Sequence, residues 1–229
     1  DTGLEISAAI NSETASRTAT ITLTAGDGKV NVAEQTITVS QSGFDFDALI
    51  IGLEVAAGKL QAALPLSGDV AVTIDWGDGT VEENVTTKQP QHQYTDPDYY
   101  VVSVKGTVTA LDSNSLDNPE QIVEVYNWGR TGLTSMKGAF AYCTNLTKVD
   151  TDRTEAFAKV TTFEQAFYRC ENLKEIPQGF LDNATELLNA GSMFSFAYNF
   201  TTVPADLLYN CTKITSVNSM FSYTGIETI

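Results

Sequence analysis

From Leu133 onward the apolar positions recur at a fixed long interval, not at the spacing of a single helix or strand. Phe140, Phe167, Phe194 and Phe221 stand 27 residues apart, and so do Leu133, Val160, Leu187 and Ile214. The same step relates Cys143 to Cys170, Asn145 to Asn172 and Asn199, Leu146 to Leu173 and Phe200, Val149 to Ile176 and Val203, and Pro177 to Pro204. A unit of this length cannot bury its own apolar face, so consecutive units are expected to stack into a solenoid. Within each unit the pattern predicts a turn or short helix at the repeated Phe, as in Phe163 to Phe167. A strand such as Asn172 to Ile176 follows, proline ends it, and Phe180 to Leu187 is expected to be helical. The Phe column should fill the coil interior, and the repeated Asn should hydrogen-bond backbone groups at the turn.

Before the repeats the pattern has period two. Thr18 to Thr24 and Thr36 to Ser40 alternate apolar and polar residues, as strands with one wet face do, and Leu4 to Ile10 reads as a further strand. Gly26–Asp27–Gly28 suits a tight reversal between them. Val70 to Trp76 runs into the turn Gly77–Asp78–Gly79–Thr80, and Val81 to Val85 returns. Tyr99 to Gly106 and Gln121 to Tyr126 are the later strands. Tyr126–Asn127–Trp128–Gly129 leads into the first repeat with no Ser- or Pro-rich linker, so Tyr126 and Trp128 are expected to cap the first coil.

These segments carry three family resemblances. The run Arg17–Thr18–Ala19–Thr20–Ile21–Thr22–Leu23–Thr24–Ala25–Gly26, with Gln35 to Gly43, resembles the end of a BACON domain, an immunoglobulin-like module of secreted Bacteroidetes proteins. Asp75–Trp76–Gly77–Asp78–Gly79–Thr80, His92–Gln93–Tyr94 and Tyr100–Val101–Val102 resemble the PKD family of extracellular β-sandwiches. The chain departs from that pattern at Asp98 and Tyr99, where a Gly commonly precedes the strand. Leu133 to Leu146, echoed in Ala166–Phe167–Tyr168–Arg169–Cys170–Glu171–Asn172–Leu173 and Ser219–Met220–Phe221–Ser222–Tyr223, resembles the BspA-like leucine-rich repeats. The first of these units departs after Val149, where Asp150 and Arg153 replace Pro and Phe. The fold expected is therefore mainly β: a partial BACON-like β-module over 1–43, a PKD-like immunoglobulin-type sandwich over 44–129, and a leucine-rich-repeat solenoid over 130–229. Because a solenoid needs a polar cap, further repeats or another domain are expected beyond Ile229.

Charge and chemistry narrow the function. Thirteen Lys plus Arg against 29 Asp plus Glu leave a formal charge of −16, which repels phosphate backbones, so nucleic acid is not an expected partner. No apolar run reaches the length of a membrane helix. A start at Asp1 without Met suggests a processed N-terminus, with a lipid anchor upstream as an open expectation. Three cysteines do not make a complete disulfide framework; Cys143 and Cys170 could face each other on successive coils, and they read as buried thiols with a bond between them left open. One histidine, His92, cannot make a zinc site with distant cysteines, and Asp75 with Asp78 lacks the ladder of a calcium loop. No metal and no cofactor is expected. His92 has no nucleophile beside it, and the PKD resemblance places it at the sandwich edge, bonding the hairpin turn. Asn145, Asn183, Asn199 and Asn210 each begin an Asn-x-Thr sequon, two of them within the repeat ladder. With no nucleophile elbow, metal cluster or phosphate loop, no enzyme is expected.

Two sets of residues are candidates for ligand contact. Tyr142, Arg169, Phe196 and Tyr223 stand two positions after each repeated Phe. Facing outward they would form a stripe suited to a protein hot spot or a sugar, while packing inward, the commoner fate of repeat-locked aromatics, they would only be core. Lys148 and Lys174, with Thr147, Glu175, Thr201 and Thr202, lie between the apolar strand positions and should be exposed. The resemblances imply an extracellular protein on the outer-membrane surface of a Gram-negative bacterium, adhering to host or microbial surface proteins without catalysis. The alternatives are a carbohydrate-binding accessory protein for host or dietary glycans, and a structural spacer.

Overall fold

A computed structural model describes residues 15–25, 33–41 and 45–227. The chain forms two compact units, Asp1–Asp45 and Phe46–Ile229. In the first, β1 (Arg17–Ala25) and β2 (Ala33–Gln41) pair antiparallel, from Arg17 opposite Gln41 to Ala25 opposite Ala33. The Gly26–Asp27–Gly28 turn and the Leu4 to Ile10 strand lie outside the described residues.

In the second unit, β3 (Leu49–Val55), β5 (Leu66–Asp75), β6 (Val81–Val85), β8 (Asp98–Leu111), β9 (Ile122–Trp128) and β10 (Lys148–Val149) form one sheet in the order β10-β9-β3-β8-β5-β6. All pairs are antiparallel except β9 with β10. Alternation dictates the core: Leu49, Ile51, Leu53 and Val55 of β3 face inward with Val72, Ile74, Val102, Val104 and Val108. A two-stranded sheet, β4 (Gln61–Ala63) with β7 (Gln91–Gln93), contributes Ala62 to the same core, and Leu64 and Tyr94 join it from the flanking segments.

Two of these strands start the repeat region. The Thr134 amide donates to Thr109 O of β8 at 2.8 Å and the Thr147 amide to Val123 O of β9 at 2.9 Å. From Thr134 the line continues coil by coil, as Thr161 donates to Thr134, Leu188 to Thr161 and Thr215 to Leu188. A third line runs through the turns: amides of Met136, Gly138, Phe140 and Tyr142 donate to carbonyls of Thr162, Glu164, Ala166 and Tyr168, and the same pattern links each later coil to the next. The 27-residue period is thus the length of chain between equivalent rungs. Each coil satisfies its backbone groups on its neighbour, which is why no unit stands alone.

The expected helix over Phe180 to Leu187 is not formed. Those residues make tight turns closed by bonds such as Ala184 N to Leu181 O and Leu187 N to Ala184 O. The segment must return to the rungs within one coil, which leaves length only for turns. Among the described residues the one helix is a single 3-10 turn, Pro119–Gln121. The expected repeat strand extends to two residues only at Lys148–Val149. In the later coils it contracts to single bridges such as Glu175 with Thr202.

The phenylalanine column fills the interior. Phe140, Phe167, Phe194 and Phe221 stack nearly parallel at centroid distances of 5.8, 5.5 and 5.7 Å. Trp128 closes its near end, edge-on to Phe140 at 5.9 Å and against Phe157 and Phe180, with its indole N–H on Asp150 O. Trp128 therefore covers the first coil as expected. Tyr126 does not, because it stands on the solvent face of the sheet and bonds Tyr99. All three cysteines are free thiols and buried. Burial pushes the Cys143 and Cys170 thiols well above their ordinary range and Cys211 up to about 11, so none is an activated nucleophile.

Candidate recognition surface

The turns that carry the third line of hydrogen bonds also set the direction of the side chains. Each coil has two left-handed residues at equivalent positions. One column is Gly138, Gln165, Ser192 and Ser219, and the other is Tyr142, Arg169, Phe196 and Tyr223, with φ of 65°, 58°, 62° and 59°. Glycine is the natural occupant of such a backbone, and a bulky residue there costs about 1 kcal/mol. In the second column the conformation swings the side chain outward: Tyr142 is exposed between the buried Ala141 and Cys143. Of the two directions open to these residues, the left-handed backbone selects the outward one at Tyr142 and Tyr223, a conformation that a non-glycine sequence does not advertise.

The four residues meet as one surface. Tyr142 packs edge-on to Tyr168 at 5.5 Å, Tyr168 edge-on to Phe196 at 5.4 Å, and Phe196 stacks on Tyr223 at 4.5 Å. The Arg169 guanidinium lies 4.9 Å from the Phe196 ring and 5.8 Å from Tyr168, and Glu171 approaches it to 3.7 Å. Tyr198 joins at 6.2 Å from Phe196. Tyr142, Tyr198 and Tyr223 are 43, 49 and 68% exposed. The faces of Phe196 and Tyr168 are largely taken by their neighbours, so the surface offers ring edges, phenol hydroxyls and one cation. Tyr168 and Tyr198 escaped sequence reading because their 27-residue counterparts, such as Ala141 and Ser195 for Tyr168, carry no aromatic signal.

The other candidates lie elsewhere. Lys148 is in β10 with its ammonium 5.4 Å above the Tyr126 ring, and exposed Lys174 belongs to a rung whose carbonyl accepts from Thr201. Neither touches the aromatic surface. Asn199 bonds Glu171 O at 2.8 Å, the backbone role expected of the repeated Asn.

The His92 region has the geometry of a structural cluster. His92 Nε2 meets Asp78 Oδ2 of the hairpin turn at 2.7 Å, its ring stacks on Trp76 at 4.8 Å, and the Tyr94 hydroxyl donates to Trp76 O. Asp75 and Asp78 accept backbone amides of their own turn, Gly77 and Thr80. Among the described residues no group of acidic, Cys or His side chains is placed to hold a metal. Burial raises the Asp78 carboxyl, but the bonds from His92 and Thr80 outweigh it and hold the group below its ordinary value. A carboxylate held below its unfolded value stabilises the fold above that value, and the contribution is lost as pH falls through the folded one. Melting temperature measured between neutrality and acid should therefore fall less steeply in His92→Gln than in the native chain, the two curves converging below the ordinary carboxylate range.

No helix among the described residues is long and apolar enough to cross a membrane. Compared with known proteins, the chain matches no family model, no curated protein and no solved structure.

Proposed function

We propose that the chain is a non-enzymatic recognition protein of the bacterial cell surface, combining an immunoglobulin-like sandwich with a leucine-rich-repeat solenoid of the BspA-like kind, and that it binds a surface protein through the Tyr142–Arg169–Phe196–Tyr223 stripe. The observation that carries this reading is the strained column. Two columns share one left-handed backbone, yet only one is filled with three aromatics and an arginine, Tyr142 and Tyr223 exposed and Arg169 and Phe196 half-buried beside them. Backbone strain maintained under exposed, hot-spot-type side chains is characteristic of binding surfaces. The ladder itself does not require such side chains, because Gly, Gln and Ser occupy the other column.

The glycan reading draws on the same stripe but fits it less well. Sugars stack on free ring faces, and here the faces of Phe196 and Tyr168 are largely taken by their neighbours, while the Arg169 cation and the phenol hydroxyls beside them suit a protein's mixed surface better. Parallel arrays of extracellular-matrix proteins and glycans distinguish the readings. Selective protein binding that is lost when Tyr142, Arg169 and Tyr223 are replaced supports adhesion, whereas glycan binding lost with the same residues replaces it by carbohydrate recognition. Silence on both arrays favours a spacer.

A further inference from the structure

A second aromatic site lies on the solvent face of the six-stranded sheet. Gly52 of β3 pairs with Val101 of β8 on one side and with Glu124 of β9 on the other, and Glu124 pairs in turn with Lys148 of β10. Two residues along β3, Glu54 stands opposite Tyr99 of β8. Side chains two apart on a strand and directly opposite across a pair share a face, so Gly52, Glu54, Tyr99, Glu124 and Lys148 lie together. The glycine makes a shelf here: a Cβ on Gly52 would collide with the Tyr99 phenol and crowd the Tyr126 ring at 3.3 Å. Tyr99 lies across that shelf with its hydroxyl 2.6 Å from that of Tyr126 and 3.4 Å from Glu124 Oε2. Burial pushes the Tyr99 phenol up to about 12, and burial with the Glu124 bond pushes Tyr126 further the same way, so both stay neutral.

The arrangement is fixed, yet its outer side is open. Tyr99 is 37% exposed, and Glu54 has no ion pair among the described residues. A tyrosine face bordered by two carboxylates attracts cations, and the fold already seats one there, since the Lys148 ammonium sits 5.4 Å over Tyr126. The chain's formal charge of −16 favours the approach of positive groups over distance. A neutral sugar would gain the ring but none of the charge. We propose that Tyr99, Tyr126, Glu54 and Glu124 form a receiving site for a guanidinium or ammonium side chain of a basic partner protein. The site is separate from the repeat stripe and stands or falls independently of it.

The test is an NMR titration of tyrosine ring resonances in the full chain with N-acetyl-arginine amide, with methyl glucoside as the competing probe. The arginine derivative should shift the Tyr99 and Tyr126 rings at low salt and weaken as salt rises. Tyr99→Leu should lower its affinity about fivefold although net charge is unchanged. Glu54→Gln, at an exposed position that leaves the fold intact, should also weaken it. Equal binding to the native chain and Tyr99→Leu would reduce the effect to general attraction by an acidic surface and overturn the proposal. Ring shifts caused by methyl glucoside and not by the arginine derivative would overturn it in favour of a sugar site.

Discussion

Phe167→Ala is expected to destabilise the Phe46–Ile229 unit by about 4 kcal/mol, the middle of the range for a fully buried aromatic. Phe167 has no solvent exposure and stacks on Phe140 at 5.8 Å and Phe194 at 5.5 Å, with Phe180 against it at 5.9 Å. Truncation leaves a void between two rung-locked coils. These cannot close on it, because the amides of Phe140 and Phe167 hold both coils at fixed spacing through Ala166 O and Met193 O. Phe221, only half-buried on the last described rung, should cost less than half as much when changed to alanine. Urea unfolding followed by fluorescence measures both. Equal losses at the two positions would mean that the column is not a continuous core.

The second large effect is expected at Asp152. Its carboxylate is buried and accepts the amides of Thr154, Ala156 and Phe157, and Asn183 Nδ2 reaches it from the next coil. It organises the loop that carries Phe157 under Trp128, so the irregular first unit is held by one acceptor where the next unit has Pro177 and Phe180. Asp152→Ala orphans three buried amides and should cost about 3 kcal/mol by the same unfolding measurement. Asp152→Asn, which keeps one acceptor oxygen, should cost about half of that. If Asp152→Ala were neutral, the loop would have another source of order.

The sequence disclosed most where periodicity was strict. The Phe column, the hairpin Val81–Val85 and the capping of the first coil by Trp128 follow from spacing or from local chemistry, and the bonding of His92 to its turn from the PKD resemblance. Three features were not legible, each for a physical reason. Phe180 to Leu187 has the apolar density of a helix, but the rung spacing leaves room only for turns. Tyr142, Arg169, Phe196 and Tyr223 stood out as candidates, but their direction, outward or into the core, was not legible because nothing in their identity signals a left-handed backbone, which the ladder imposes. The Tyr99–Tyr126 pair depends on a register in which β3 and β9 shift at Ile50/Ile51 and Gly52/Leu53, and such irregularities leave no trace in alternation.

The central claim is that the outward column is the recognition surface, and the second left-handed column supplies its control. Binding of the chain to the matrix protein that it selects on an array should be measured for two sets of variants. One set is Tyr142→Ser, Arg169→Gln and Tyr223→Ser, and the other is Gln165→Ser, Ser192→Ala and Ser219→Ala, all confirmed folded by their melting temperatures. The first set should weaken binding at least about tenfold while the second leaves it unchanged. Equal affinity in both sets, or loss confined to the second, would contradict that claim.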